Sequence, residues 1–244
     1  MKLQNKVIIV TGSSKGIGKE IAILLAQHGA KVVINYSHSE TEANDTVKHI
    51  TDHGGTAIAI KADVSQKEDV TMLFDQTLET FGEINVLINN AGVMDNKLLK
   101  DHTADDFSKV FDINVKGVFN TLQEANDKLA DDGIILNFSS STTKMMLPTY
   151  ALYSGTKAAI EQITRVFSQE IGRGISVNAI APGPTATALF KKGKSEETIK
   201  ALGSKSPFDR IAEPEDIAKV VLFLASDDSK WISGQVICAN GALV

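Results

Sequence analysis

Lys6-Val7-Ile8-Ile9-Val10-Thr11-Gly12-Ser13-Ser14-Lys15-Gly16-Ile17-Gly18 decides how this chain folds. The apolar, β-branched run at its start reads as a buried strand. Residues 18–28 read as a helix with Ile21, Leu24 and Leu25 on one face, stopped by Gly29. Between them, three glycines allow a tight turn and a close approach of backbone to a ligand. The first N–H groups of the helix point at the same place, which suits a pyrophosphate. A turn without a ligand is the plainer alternative. The turn's position between strand and helix, at the start of the chain, favours the dinucleotide reading.

The same alternation continues outward from this unit. Further strands are expected over residues 31–35, 56–61, 85–89, 133–138, 175–180 and 235–239. Helices are expected over residues 42–53, 67–81, 104–127, 153–172 and 214–225. Continuous apolar strands alternating with helices predict a single α/β domain over residues 1–244, a doubly wound parallel sheet of about seven strands with helices on both faces. The least regular stretch is 182–207, with Gly183, Pro184, Gly193 and a basic cluster at Lys191, Lys192 and Lys194. A mobile lid near residues 184–207 is expected there, with a solvated loop as the alternative.

Composition narrows the function. The chain has 244 residues, 43% hydrophobic and 23% charged, with a net charge of −5. That mild negative charge argues against nucleic acid or an anionic membrane as partner. One cysteine, Cys238, excludes an internal disulfide and a cysteine metal cluster. The histidines at 28, 38, 49, 53 and 102 lack metal-ligand spacing, so all five are expected at the surface and no metal site is expected. No stretch reads as a signal peptide or membrane span, and a cytoplasmic location is expected.

Two places test the dinucleotide reading. An acidic residue about twenty positions after the glycine turn would bind the ribose of NAD. Here the second strand ends in Asn35-Tyr36-Ser37-His38-Ser39, with no acid before Glu40, and Lys15 sits in the turn itself. A cation and no carboxylate favour NADP(H) over NAD(H). After the third strand, Asp63 can accept from an adenine amino group, or merely cap the next helix. After the fourth, Asn89-Asn90-Ala91-Gly92 offers side-chain amides and small residues, or a plain turn.

Ser139-Ser140-Ser141 closes the fifth strand, and Tyr153 and Lys157 follow, four residues apart. On a helix such a pair shares one face. The ammonium favours the phenolate and eases proton transfer near neutral pH. A packed tyrosine beside a solvated lysine is the alternative, which the company of the other motifs disfavours.

Together Thr11-Gly12-x-x-x-Gly16-x-Gly18, Asp63-Val64, Asn89-Asn90-Ala91-Gly92, Asn114, Ser140, Tyr153-x-x-x-Lys157 and Pro182-Gly183 resemble the short-chain dehydrogenase/reductase family along essentially the whole chain. The stretches 206–218 and 233–236 resemble its bacterial 3-oxoacyl-acyl-carrier-protein reductase and glucose dehydrogenase branch. The resemblance implies Tyr153 as general acid in reduction and Lys157 as the group that lowers its pKa and holds the nicotinamide ribose. It implies Ser140 on the substrate oxygen, Asn114 holding a relay water, and catalysis by Asn114, Ser140, Tyr153 and Lys157. Cofactor contacts are implied for Gly12, Ser14, Lys15, Gly16, Ile17, Gly18, Tyr36, Ser37, Asp63, Val64, Asn90, Ala91, Gly92, Tyr153, Lys157, Pro182, Gly183, Thr185 and Thr187. The implied substrate is a small carbonyl compound or an acyl thioester, with a sugar or polyol dehydrogenase as a second reading and a non-catalytic dinucleotide sensor, disfavoured by the presence of Tyr153 and Lys157, as a third. The implied assembly is a homotetramer. The segment 93–98, the lid and the tail 239–244 depart from the branch, which sets the acyl-carrier substrate apart from the chemistry. Met145, Met146 and Leu147 are candidates either for an apolar pocket or for packing.

Overall fold

The computed structural model describes residues 2–244. Four consecutive buried residues make β1 (Val7–Val10), and its neighbours β2 (Lys31–Tyr36) and β4 (Val86–Asn89) are almost as continuously buried. Each is covered on both faces, which is why the strands show no polar alternation. With β3 (Thr56–Lys61), β5 (Ile134–Phe138), β6 (Ser176–Pro182) and β7 (Val236–Ala239) they form one seven-stranded parallel sheet in the order β3-β2-β1-β4-β5-β6-β7. The register runs Val7 beside Lys31 and Ile8 beside Val86. The order reverses between β1 and β4, and ligands in such sheets bind outside the strand C-termini at that point.

One apolar layer joins α1 (Gly16–Gln27), α2 (Glu40–Asp52) and α10 (Pro214–Leu224) to the sheet. The opposite layer holds α3 (Lys67–Phe81), α5 (Gly117–Lys128) and α7 (Ala151–Glu170). The expected elements are present, with most boundaries shifted by a residue or two. β3 and α3 fall where expected, α3 ending on Gly82 in the left-handed region at φ 84°. α10 opens on Pro214 inside a reciprocal cap between Glu213 and Asp216.

Two expectations are corrected. The helix expected over residues 104–127 is α4 (Ala104–Phe111), a widened π-turn (Asp112–Lys116) and then α5. The Asn114 amide explains the break, because it is bonded to the Val93 backbone outside the helix. The stretch expected to be irregular contains α8 (Ala188–Lys191) and α9 (Glu196–Gly203), capped by the side chains of Thr187 and Ser195. A further short helix, α6 (Thr142–Met145), follows the serines.

Candidate active site

The glycine turn is packed against the end of β4. Gly12 has φ +62°, and a Cβ there would lie 2.9 Å from the Ala91 Cα. A Cβ on Gly18 would lie 2.5 Å from Asn90 Nδ2 and 2.7 Å from the Gly12 carbonyl oxygen. The side chains that crowd these glycines also hold the turn. Asn90 Nδ2 donates to the carbonyls of Thr11 at 2.9 Å and Gly12 at 3.0 Å. Thr11 Oγ1 accepts from the backbone of Asn90 and Ala91, each at 3.0 Å. A cradle that a methyl group would fill, at a helix N-terminus, fits the pyrophosphate of a dinucleotide.

Asn35 is where the sequence is most deceptive. It occupies the end of β2, fully buried, with Oδ1 accepting from the Gly12 N–H at 3.2 Å and Nδ2 donating to the Ala62 carbonyl at 3.0 Å. It is a brace for the turn, which sequence reasoning missed; a lone amide in an apolar strand was the available signal. Lys15 reaches over the same edge, its Nζ donating to Ser39 Oγ at 3.3 Å, and Ser37 Oγ contacts His38 Nδ1 at 2.6 Å. Ser14 and Tyr36 are buried, and burial pushes the Tyr36 phenol pKa up, with Glu40 adding to it. Asp63 Oδ1 accepts from the Ser65 N–H at 2.9 Å and from its hydroxyl at 2.8 Å, so this oxygen shapes the turn into α3. The Val64 carbonyl is taken by Asn120 Nδ2 at 2.9 Å.

The proton-transfer group assembles where β5 meets α7. Ser140 Oγ accepts from the Thr142 N–H at 3.2 Å and from its hydroxyl at 3.0 Å, and Ser140 lies close enough to Tyr153 to lower the phenol's pKa. Tyr153 and Lys157 lie one turn apart on α7, with the Lys157 Nζ 5.7 Å from the centre of the Tyr153 ring. That Nζ donates to the Phe138 carbonyl at 2.7 Å. Burial depresses the Lys157 pKa to about 8. Burial also pushes Tyr153 up to about 12, against the lowering effect of Ser140, with Tyr150 adding to the rise. In the free chain desolvation is thus the largest influence on this part-exposed phenol.

The Asn114 side chain is fully engaged within the protein. Its Oδ1 accepts from the Val93 N–H at 2.8 Å, and its Nδ2 donates to the Val93 carbonyl at 2.9 Å and Thr156 Oγ1 at 3.1 Å. Its side chain is thus a clamp on the chain after Gly92. The outer serines are spoken for, Ser139 by Glu161 at 2.7 Å and Ser141 by the Ala181 carbonyl at 3.3 Å. Glu161, buried and also holding Thr143 at 2.9 Å, is another positioning residue the sequence reading missed.

These groups face an open cleft. Ile17, Asn90, Gly92, Pro182, Gly183, Thr185 and Thr187 line the side toward the glycine turn. Met94, Met145, Leu147, Tyr150, Leu189 and Phe190 line the other. Met146 does not join them; it is exposed, with φ 49°. Nor does the basic cluster stay fully solvated: Lys194 Nζ donates to the Phe190 carbonyl at 2.8 Å and stands 4.7 Å from the Phe190 ring centre.

The family model described as enoyl-(acyl carrier protein) reductase matches residues 12–243. The chain belongs to the short-chain dehydrogenase/reductase family. It is 41% identical to a short-chain type dehydrogenase/reductase of Picea abies, covering 99% of this chain and 93% of that one. It is 37% identical to an NADPH-dependent aldehyde reductase-like protein, chloroplastic, of Arabidopsis thaliana, over 100% of this chain and 96% of the other. Among solved structures it is similar to the angucycline C-6 ketoreductase LanV with bound NADP, with TM-score 0.93, 37% identity, and coverage of 99% and 96%. As a short-chain dehydrogenase/reductase the chain is an oxidoreductase working between a carbonyl and a CH–OH group with a nicotinamide dinucleotide. Among the described residues no helix is long and apolar enough to cross a membrane.

Proposed function

We propose that this chain is an NADP(H)-dependent reductase of apolar ketones. The observation that carries this is that Ser140 and Tyr153 face the same cleft as the apolar side chains Met94, Leu147, Leu189 and Phe190. A bound nicotinamide supplies the hydride. Ser140 Oγ and the Tyr153 hydroxyl take the substrate oxygen between them, and Tyr153 gives its proton as the oxygen gains charge. A phenol that keeps its proton until about pH 12 suits the acid of a reduction. Lys157, held by the Phe138 carbonyl, places positive charge under that transfer and addresses the ribose. Asn114 acts by fixing Val93; a relay water there hangs on the backbone that the π-turn loosens.

The preference for NADP rests on Lys15 held at Ser39 and on Asn35, which turns its amide inward and leaves no carboxylate to repel a 2′-phosphate. Tyr36, Ser37 and Val64 border the adenosine, with the second oxygen of Asp63 toward the adenine. The names of the Arabidopsis relative and of the NADP-bound LanV structure point the same way. The apolar lining favours a general ketone over a sugar; a 3-oxoacyl thioester stays within reach of the same chemistry. Residues 184–207 act as the lid, since Pro184, Leu189, Phe190 and Leu202 all face the cleft. The chain works as a cytoplasmic homotetramer, joined through exposed Phe119 on α5 and Val166 on α7 beside Leu122 and Ile163.

The test is NADPH consumption against a 3-oxoacyl thioester, an aromatic ketone, a diketone and a keto sugar, with NADH in parallel. Turnover of aromatic ketones with NADPH, lost in Tyr153→Phe while NADPH still binds, is the expected result. Sugar turnover alone, or near-normal rates in Tyr153→Phe, overturns the reading.

A further inference from the structure

The loop between β4 and α4, together with the first turn of α4, gathers four chemically active side chains that the reduction does not use. Asp95 Oδ2 and Asp106 Oδ2 each lie 2.9 Å from Lys97 Nζ. Behind them sits His102, its side chain only 5% exposed, which corrects the expectation of five surface histidines. His102 Nδ1 is 3.9 Å from Asp95 Oδ2 and 4.0 Å from Asp106 Oδ2. Neither of its ring nitrogens has a hydrogen-bond partner among the described residues. One ligand atom from each of Asp95, His102 and Asp106 lies within 4.8 Å of the other two.

A buried imidazole without a partner is costly and calls for one. Its nitrogen faces two carboxylate oxygens, all three atoms bearing lone pairs. A cation between them satisfies all three at once. The Lys97 ammonium already marks the spot between the two carboxylates, and it stands in for that cation there. It is half-exposed at the loop surface, so it can swing out into water.

We propose that Asp95, His102 and Asp106 form a three-ligand site for a divalent transition metal, zinc above all, which enters by displacing Lys97. One imidazole nitrogen and two carboxylate oxygens are zinc ligands, whereas magnesium and calcium prefer all-oxygen shells with more ligands. Zinc bonds of about 2.0–2.2 Å require donors about 3.3–3.5 Å apart, so the two His102 distances close by about 0.5 Å and no pair of ligand atoms closes by more than about 1.5 Å. Asp106 is already oriented, accepting from the Thr103 N–H at 2.9 Å as the cap of α4. The sequence hides the site because two of the ligands straddle a helix cap and the third lies seven residues earlier. Its occupation bears on the cleft: Met94, the neighbour of Asp95, lines the apolar half. An ion here ties that wall to the start of α4.

Zinc titration of the untagged, chelator-treated chain tests this, by calorimetry and by competition with a chromophoric chelator. One zinc per chain is expected, with the His102 imaizole nitrogen resonances shifting as it binds. His102→Gln should weaken binding at least tenfold and Lys97→Met should tighten it at least tenfold, both with unchanged circular dichroism. Failure of both the wild type and Lys97→Met to bind zinc overturns the proposal. So does zinc binding unaffected by His102→Gln, which would place the ion at the His49–His53 pair, whose tilted rings have centres 4.4 Å apart.

Discussion

Replacing Lys157 with methionine should stop catalysis and yet stabilise the fold near neutral pH. The side chain is 4% exposed, and burial alone depresses its pKa from 10.5 to about 8. A depression of that size corresponds to about 3 kcal/mol against the charged form. Against this stands its bond to the Phe138 carbonyl at 2.7 Å, whose loss costs about 1–2 kcal/mol. Methionine fills a similar volume without charge, so the net gain at pH 7 is about 1–2 kcal/mol, or about 3–6 °C in Tm. The pH dependence follows from the direction of the shift. Below pH 8 the group is charged in both folded and unfolded chains, and the whole cost of burying it is present. Between pH 8 and 10.5 the folded chain holds fewer protons than the unfolded one, so wild-type stability from this group rises with pH. The advantage of Lys157→Met should therefore shrink across that window. Thermal unfolding of both chains without cofactor, followed by circular dichroism from pH 7 to 10.5, reads this difference directly. A variant less stable at pH 7, or an advantage that does not change with pH, would refute the reasoning.

Gly18→Ala should weaken NADPH binding at least a hundredfold by fluorescence titration, because its Cβ would stand 2.5 Å from Asn90 Nδ2 and 2.9 Å from the Ser13 Cα. Lys15→Ala should raise KM for NADPH about tenfold, the worth of one charged hydrogen bond at an accessible site, and leave kcat and KM for NADH unchanged. Glu124 is pushed up by burial, but hydrogen bonds from Lys128, Lys67 and Thr71 prevail and hold its pKa at about 2. Its contribution is complete above pH 4.5 and lost as pH falls from 4.5 to about 2. Glu124→Gln should cost about 1–3 kcal/mol at pH 7 and flatten the acid limb of a denaturation-midpoint series.

The fold was legible because its strands are continuous. Val7 to Val10 or Ile134 to Phe138 can only be buried on both faces, and a parallel sheet follows. The glycine turn and the Tyr153–Lys157 pair were legible because their spacing is local, within one turn or one helix face. What escaped is non-local. Asn114 breaks a helix for the sake of Val93, twenty-one residues earlier in the chain. Asn35 holds Gly12 from the next strand, and His102 is buried by a loop whose path no spacing reveals. Electrostatics escaped for the same reason. An ammonium beside a phenol favours the phenolate, but desolvation, set by the whole surrounding fold, raises the Tyr153 pKa in the free chain.

That rise fits the direction of chemistry. A phenol holding its proton to about pH 12 is a poor base at neutral pH, yet an alkoxide formed against it is more basic still and takes the proton downhill. At neutral pH Tyr153 is kept neutral, while Lys157, still charged below about pH 8, holds that charge at a cost. Negative charge arriving on a substrate oxygen between Ser140 and Tyr153 then meets few waters and a nearby ammonium that gains from its approach. The same charge that Lys157 holds at a cost in the resting fold is repaid as the reaction proceeds, so the instability at position 157 and the catalytic advantage there have one physical origin. A chain optimised for stability alone would carry an apolar residue at that place.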